Sequence, residues 1–408
     1  VVDAPIPLED ALGIIRRVVR PVGGETVPVG HSLGLCLAES VIAPRALPPF
    51  DNSAVDGYAF RYPDLPANVL DDRFDLSMVV QGESAAGIPF SGEMWPGGAI
   101  RISTGAVLPK GADTVAMQED CQMQHGSVLI SPVPRKGANV RVAGGDIKVG
   151  DTALAAGHRL RPQDVALLHA LGATELQVKR RLKVAIAATG AELREAGAAL
   201  EAGQIIETNA AMLAQLLGNY PADVTVLPAL PDDRAATERA LAEAGDRFDL
   251  IVTTGGVSVG DHDHVRPALL SQGKVHFWRL QLRPGKPVLF GEVGHAVMLG
   301  LPGNPVSAMV TFLMVALPAV RALLGAPDTF APGFLVPLAT DYRKPAKLRE
   351  FPRARLNASG QAELYRDQSS NLLTSLSWAD GILDLPVGPA EVKAGEMVMY
   401  RPFAALLG

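Results

Sequence analysis

From Leu182 onward the chain repeats one rhythm, a short apolar β-type run followed by a helix-forming run, and nothing else in the sequence restricts the fold as much. "LKVAIAAT" reads as a strand and "TNAAMLAQLLGNY" as a helix opened by Thr208 or Asn209; "DVTVLPAL" is a second strand, "DDRAATERALAEAG" a second helix and "DLIVTTGG" a third strand. Later, "HAVMLGLPG" reads as a strand and "NPVSAMVTFLMVALPAVRALLG" as a long helix, with Asn304 as N-cap and Pro305 in its first turn. Strands alternating with helices imply a mostly parallel sheet covered on both faces.

The flanks follow other patterns. Residues 52–140 break into short β-like runs separated by Gly, Pro and Asp ("FDLSMVVQ", "GGAIRIST", "DTVAMQED", "SVLISPV"), the mark of a small β-rich insert. Before it lie a helical pattern, Leu8 to Val19, and the stiff exit "APRALPPFDN"; after it a helix begins at Pro162 and runs to about Leu171. Because the chain leaves helix for β and returns, the two flanks read as one discontinuous α+β domain. The last eighty or so residues, Pro-rich with short β-runs such as "GILDLPV" and "EMVMYRPF", suggest a β-barrel-like domain. The expected division of this α/β multidomain chain is 1–45 with 140–180, 46–139, 181–326 and 327–408.

A chain of 408 residues holds enough apolar surface for several cores, and its net charge of −6 excludes a general nucleic-acid binder, which needs a basic surface. Any anion must be caught locally. Two cysteines, Cys36 and Cys121, make no disulfide framework and fit a reducing cytoplasm. The most apolar run, Ala308 to Val320, is interrupted by Thr311 and Pro318 and is short for a membrane span, so no membrane role is expected.

In an open parallel sheet ligands bind beyond the carboxyl ends of the strands. "TGAE", "PDD", "TTGGVSVGDHD" and "LPGNPVS" all fall there. Gly255 and Gly256 permit close backbone approach, and their N–H groups with the Thr254 and Ser258 hydroxyls can cradle phosphate without net positive charge. Judged alone, Asp232 is an N-cap, Glu192 a solvated loop acid and Asp263 a helix-start carboxylate; together they place three carboxylates at three strand ends, as an acidic wall or a Mg²⁺ site would require. His262 and His264 lack the partners zinc needs. In "WRLQLRPGKP", Arg279 and Arg283 alternate on one expected strand face beside Lys286, an arrangement that can clamp an oxyanion.

"PPFDNSAVDGYAF", "RISTGA", "TGAEL", "TTGGVSVGDHD", "RPGKPV" and "LPGNPVSA", in this order and across almost the whole chain, resemble the MoeA family of molybdopterin molybdenumtransferases, which includes the E-domain of gephyrin. The central segment alone also resembles the molybdopterin adenylyltransferases, MogA-like proteins that share this α/β domain. The resemblance implies a reaction in which molybdate enters adenylylated molybdopterin, with Mg²⁺, and AMP is released. It implies a homodimer in which Asp56 and Thr104 of the other subunit complete the site. Glu192, Asp232 and Asp263 match the acidic site residues and metal positions; Pro302, Gly303, Asn304, Pro305 and Ser307 fall in the "PGNP" segment, and Arg353 and Ser370 match positions near the molybdate. Arg279 and Arg283 stand where other members carry lysine, Val55 replaces a methionine, and Ser369 replaces a glycine. Two other readings share these residues: an adenylyltransferase acting one step earlier, and a non-catalytic dimeric scaffold of the gephyrin kind. A separate adenylyltransferase is the protein partner the resemblance suggests.

Overall fold

A computed structural model describes residues 4–66, 75–230, 233–257, 264–327 and 333–407. The chain divides into two compact units, one of Val1–Glu39, Ala156–Arg161 and Leu176–Gly408, the other of Ser40–Ala155 and Pro162–Glu175. The two flanks of the β-rich insert are thus shared between them.

The larger unit carries the expected central sheet, with elements β1 (Leu182–Ala188), α1 (Asn209–Leu217), β2 (Ala222–Val226), α2 (Arg234–Gly245), β3 (Leu250–Thr254), α3 (Val265–Gln272), β4 (Gly273–Arg279), β5 (Pro287–Val293), β6 (Ala296–Leu301) and α4 (Pro305–Leu323). Strand order is β2-β1-β3-β6-β5-β4. The pairs β2–β1, β1–β3 and β3–β6 are parallel, while β5 is antiparallel to both β6 and β4, so the sheet is parallel on one side only. The reason lies in the connections. Helices carry the chain between the parallel strands, whereas β5 and β6 are joined by a tight turn at Gly294, which only an antiparallel pair can use.

Two cores sandwich this sheet. Val184, Ile186, Leu250, Val252 and Leu299 face a large cluster with Leu213 of α1, Val310 and Val320 of α4, and Leu12 and Ile15 of the N-terminal helix Leu8–Val18. Ala185, Ala187, Ile251 and Met298 face a second cluster with Leu241 of α2 and Leu269 of α3. Side chains alternate along each strand, so adjacent residues serve opposite cores. The helix α4 is long and apolar enough to cross a membrane, longer than its apolar run suggests, but 83% of it is buried inside the protein. Its middle, Phe312–Ala316, is a π-helical turn directly before Pro318, whose ring and missing N–H would break a regular helix.

The same unit ends in a five-stranded antiparallel sheet ordered Phe334–Pro337, Met397–Pro402, Gly381–Asp384, Arg353–Leu356, Ala362–Leu364. A bridge between Leu338 and Ala362 joins its two edges and curls it towards a barrel. The smaller unit is a six-stranded mixed sheet around Tyr58, Phe60, Met78, Ile100 and Val128, as the broken β-pattern predicts. Its helix Pro162–Ala170 starts at the expected proline, with Leu168 buried. Burial pushes the Cys36 and Cys121 thiols up to about 11, so neither is a reactive thiolate at neutral pH.

Candidate functional site

A cleft of about 630 Å³ opens at the carboxyl ends of β1, β3 and β6. Thr254, Gly255 and Gly256 follow β3; Pro302, Gly303, Asn304 and Pro305 follow β6; Thr189 and Glu192 follow β1. Ser258, Asp232 and Asp263, with Asp261 and His262, lie outside the described residues. Glu192 is therefore the one expected acid the described structure brings to the cleft.

The glycine turn is built by packing. Gly255 and Gly256 have φ of +83° and +64°. A Cβ on Gly255 would lie 2.6 Å from Thr189 Oγ1 and 2.7 Å from the Thr189 carbonyl oxygen, so a side chain is excluded on both counts. The Gly255 N–H donates to the Leu301 carbonyl at 3.0 Å, which ties β3's end to β6's end. That N–H is committed to the sheet, and the expected cradle loses one of its donors. Beyond the turn, Trp278 Nε1 donates to the Val257 carbonyl at 2.9 Å, fixing the last described residue of the loop.

The β6 turn differs from expectation too. Asn304 has extended backbone (φ −67°, ψ 129°) with Pro305 next, as an N-cap should, but its side chain caps nothing. Its Nδ2 donates instead to Ser370 Oγ at 3.0 Å, and the Val306 N–H donates to the Ser370 carbonyl at 3.1 Å. Ser370 is thereby joined to the cleft's edge, and Asn371 and Leu373 line it. Ser307, 4% exposed, is buried in the first turn of α4 and does not border the cleft. The capping seen at α2 belongs to Asp233, whose Oδ1 accepts from the Ala236 N–H at 2.7 Å.

Arg353 lies inside the protein. It is fully buried, and its Nε and two Nη atoms donate to Ser375 Oγ and to the carbonyls of Gln368, Asp367 and Ser369 at 2.9–3.2 Å. The guanidinium is a clamp under the 367–369 turn, with its donors directed at the protein's own backbone. Ser369 donates its N–H and hydroxyl to Asp367 Oδ1 at 2.8 and 2.6 Å and holds that carboxyl below its usual range.

Arg279 and Arg283 do not share a strand. β4 ends at Arg279, and Leu282–Arg283 pair with Arg349–Glu350 in a separate two-stranded sheet, so the alternation that set the two side by side fails. Arg279 stacks on Trp278 at 3.9 Å, and Arg283 lies 3.4 Å from buried Glu350. Lys286 is exposed, and of this segment only Pro287 borders the cleft. In the smaller unit Asp56 and Thr104 do meet: the Thr104 N–H and hydroxyl donate to Asp56 Oδ1 at 2.6 and 2.9 Å, which holds the carboxyl below its usual range. Gly57 beside it admits no side chain, since a Cβ would fall 1.8 Å from the Ala116 carbonyl oxygen.

Sequence reasoning placed Thr189 at this edge within "TGAE" but missed Glu207 and Asn209 as cleft residues. The Glu207 Oε1 accepts the Ala210 N–H at 2.8 Å at the start of α1. Their signal was present in "ETNA", a polar cluster opening a helix that the sheet's geometry aims at the ligand edge.

Residues 6–172 match the MoeA N-terminal region (domain I and II), residues 185–322 a probable molybdopterin binding domain, and residues 336–403 the MoeA C-terminal region (domain IV). The chain belongs to the MoeA family. A molybdopterin molybdenumtransferase of Haemophilus influenzae is 40% identical over 402 residues, spanning 97% of this chain and 98% of that protein. Molybdopterin molybdenumtransferase 2 of Mycobacterium tuberculosis is 35% identical over 93% of this chain and 95% of its own length. The crystal structure of the molybdopterin biosynthesis MoeA protein of Pyrococcus horikoshii superposes with a TM-score of 0.84 at 29% identity, covering 98% of this chain and all of that one. The MoeA architecture thus includes the cleft, the β-rich unit and the C-terminal sheet, and the cleft's described lining up to Pro305 lies within the molybdopterin-binding segment.

Proposed function

We propose that this chain is a molybdopterin molybdenumtransferase, inserting molybdate into adenylylated molybdopterin with release of AMP. The observation that carries the reading is the strand-end cleft within the molybdopterin-binding segment, in a chain that also keeps both other MoeA regions. About 630 Å³ suits a nucleotide-sized ligand. Thr254 and Gly256 would meet its phosphates, and the Pro302–Pro305 turn would bound it on the β6 side. Asn304 and Ser370, joined by their hydrogen bond, would hold the C-terminal loop against the bound ligand. Exposed Arg283 and Lys286 would draw molybdate by charge, acting through their field and not as a paired clamp.

Among the described residues no group of three or more His, Cys, Asp or Glu could hold a metal ion. Glu192 on the cleft wall fits Mg²⁺ shared with substrate, because that ion prefers one or two carboxylates, waters and substrate phosphates. When bound, Mg²⁺ would polarise the linkage between the pterin phosphate and AMP. We further read the protein as a cytoplasmic homodimer, in which Asp56 and Thr104 of one subunit complete the other's site, with a molybdopterin adenylyltransferase as upstream partner. The four-part division at 46, 140, 181 and 327 belongs to the same reading.

Incubation with adenylylated molybdopterin, Mg²⁺ and molybdate should release AMP and leave molybdenum in the pterin. Turnover of ATP with metal-free molybdopterin would point to the adenylyltransferase step, and no turnover of either would point to a scaffold. Glu192→Gln should lower AMP release on the order of 100-fold. Sedimentation should give a dimer.

A further inference from the structure

Asn209 is 8% exposed, lines the cleft, and has only half its amide satisfied. Its Nδ2 donates to the Gly303 carbonyl at 2.7 Å, while its buried Oδ1 has no hydrogen-bond partner. The amide cannot be turned over to relieve this, because Oδ1 would then face the Gly303 carbonyl, acceptor against acceptor. The turn that follows β6 therefore holds an acceptor just behind the cleft's lining, out of contact with water. A buried acceptor left unpaired is costly, so the position is built to be completed by something that enters the cleft.

The group that completes it must donate. Ionised phosphate and molybdate oxygens are acceptors only and would be repelled there, so this part of the wall is not a phosphate subsite. We infer that Asn209 Oδ1 accepts a hydrogen bond from an exocyclic amino group of the bound heterocycle, and that Asn209 is a specificity-determining residue of the cleft. An exocyclic amine extends beyond the ring edge, and a small shift of the Asn209 amide towards the cleft brings the recessed acceptor to it. This inference rests on the proposed function, whose substrate carries such an amine on the pterin and another on the adenine. The same chemistry could come from either ring.

The experiment compares ligand pairs differing by that amine alone, measured by calorimetric titration. AMP is set against purine riboside monophosphate, and pterin against 4-hydroxypteridine. In the wild-type protein, loss of the amine from the ring that faces Asn209 should weaken binding roughly tenfold, the cost of stranding Oδ1. In Asn209→Leu, which removes the acceptor, the same two ligands should bind equally. A tether role for Asn209 through Gly303 would weaken both members of a pair alike and leave their ratio unchanged. Discrimination in the pterin pair alone assigns the pterin, and in the adenine pair alone the adenine. Binding of AMP or pterin with no discrimination in either pair overturns the inference while leaving the proposed function standing. Failure of both AMP and pterin to bind wild-type protein overturns the two together. The wild-type ratios decide the matter even where Asn209→Leu fails to fold, and Asn209→Ala supplies a second, smaller apolar variant.

Discussion

Two walls of the cleft are made in different ways. On one side, the turns after β3 and β6 are held by neighbouring strands: the Gly255 N–H bonds to Leu301, and Gly255 and Gly256 pack against Thr189. On the other side, Asn371 and Leu373 follow a turn held from beneath by one buried arginine. The first wall is a by-product of a parallel sheet, each bond repeating the geometry that makes the strands. The second leans most on one side chain, which gathers three carbonyls and a hydroxyl from 14 to 22 residues away, with the Gln368 amide bonding back to the Arg353 backbone. A wall of the first kind yields gradually to mutation. One of the second kind fails at a point.

That contrast is breakable. Arg353→Leu should have the largest effect, because it leaves three carbonyls and Ser375 without their donor: a loss of about 3 kcal/mol or more, seen as a lower thermal midpoint and as proteolysis near residues 365–375. Arg353→Lys should fail to restore it, since one ammonium cannot reproduce a fork reaching four acceptors. A thermal midpoint unchanged by Arg353→Leu would remove the distinction between the walls.

Gly255→Ala comes next, at roughly 1–3 kcal/mol, from the left-handed backbone and the contact with Thr189. Thr189→Ala should not rescue it, because the Thr189 carbonyl oxygen lies as close as the hydroxyl that the change removes. Full rescue would show that the turn answers to one side chain after all.

The bond joining the walls should be weaker than either. A double-mutant cycle on Asn304→Ala and Ser370→Ala should give a coupling of about 0.5–1 kcal/mol, as for one neutral, exposed hydrogen bond.

Asp56 and Thr104 give the smallest effect and sharpen the comparison by exposure. Like Arg353, Asp56 ties a distant loop through backbone, but it does so in water. Hydrogen bonds from Thr104 hold its folded carboxyl below the ordinary value of about 3.9. The stability it lends is present above that value and is lost as pH falls through the lower, folded one. Thr104→Val should raise the Asp56 midpoint towards the ordinary value in a carboxyl NMR titration, with little change in thermal midpoint at neutral pH. An unmoved midpoint would count against the hydroxyl's share.

The same contrast explains what could be read from the sequence. The alternating strands and helices located β1, β2, β3, β6 and α4 to within a few residues, because each was written locally in period and caps. The ligand edge followed from topology. What could not be read was long-range side-chain bookkeeping. Arg353 and Ser307 carry the right residue types but are turned inward, and Asn304 looks like a cap because nothing near it in sequence announces Ser370. The supposed clamp of Arg279 and Arg283 rested on one unbroken strand, and the chain turns away between them. Asn209 was read only as a helix start, since its empty acceptor exists only once Gly303 is folded beside it.

The π-helical turn in α4 has its own consequence for how this chain can vary. One residue more than a regular helix needs is absorbed at Phe312–Ala316, so the two halves of α4 are offset by about 100° of rotation. Phe312 through Leu317 are all buried, and both halves pack into the same large cluster. Deleting one residue there would force Pro318 into a regular helix and would turn Val320 and Leu323 out of the core that Val306 and Val310 share with them. Length at this point is a fixed quantity, while a buried residue there can be exchanged only for one of similar size.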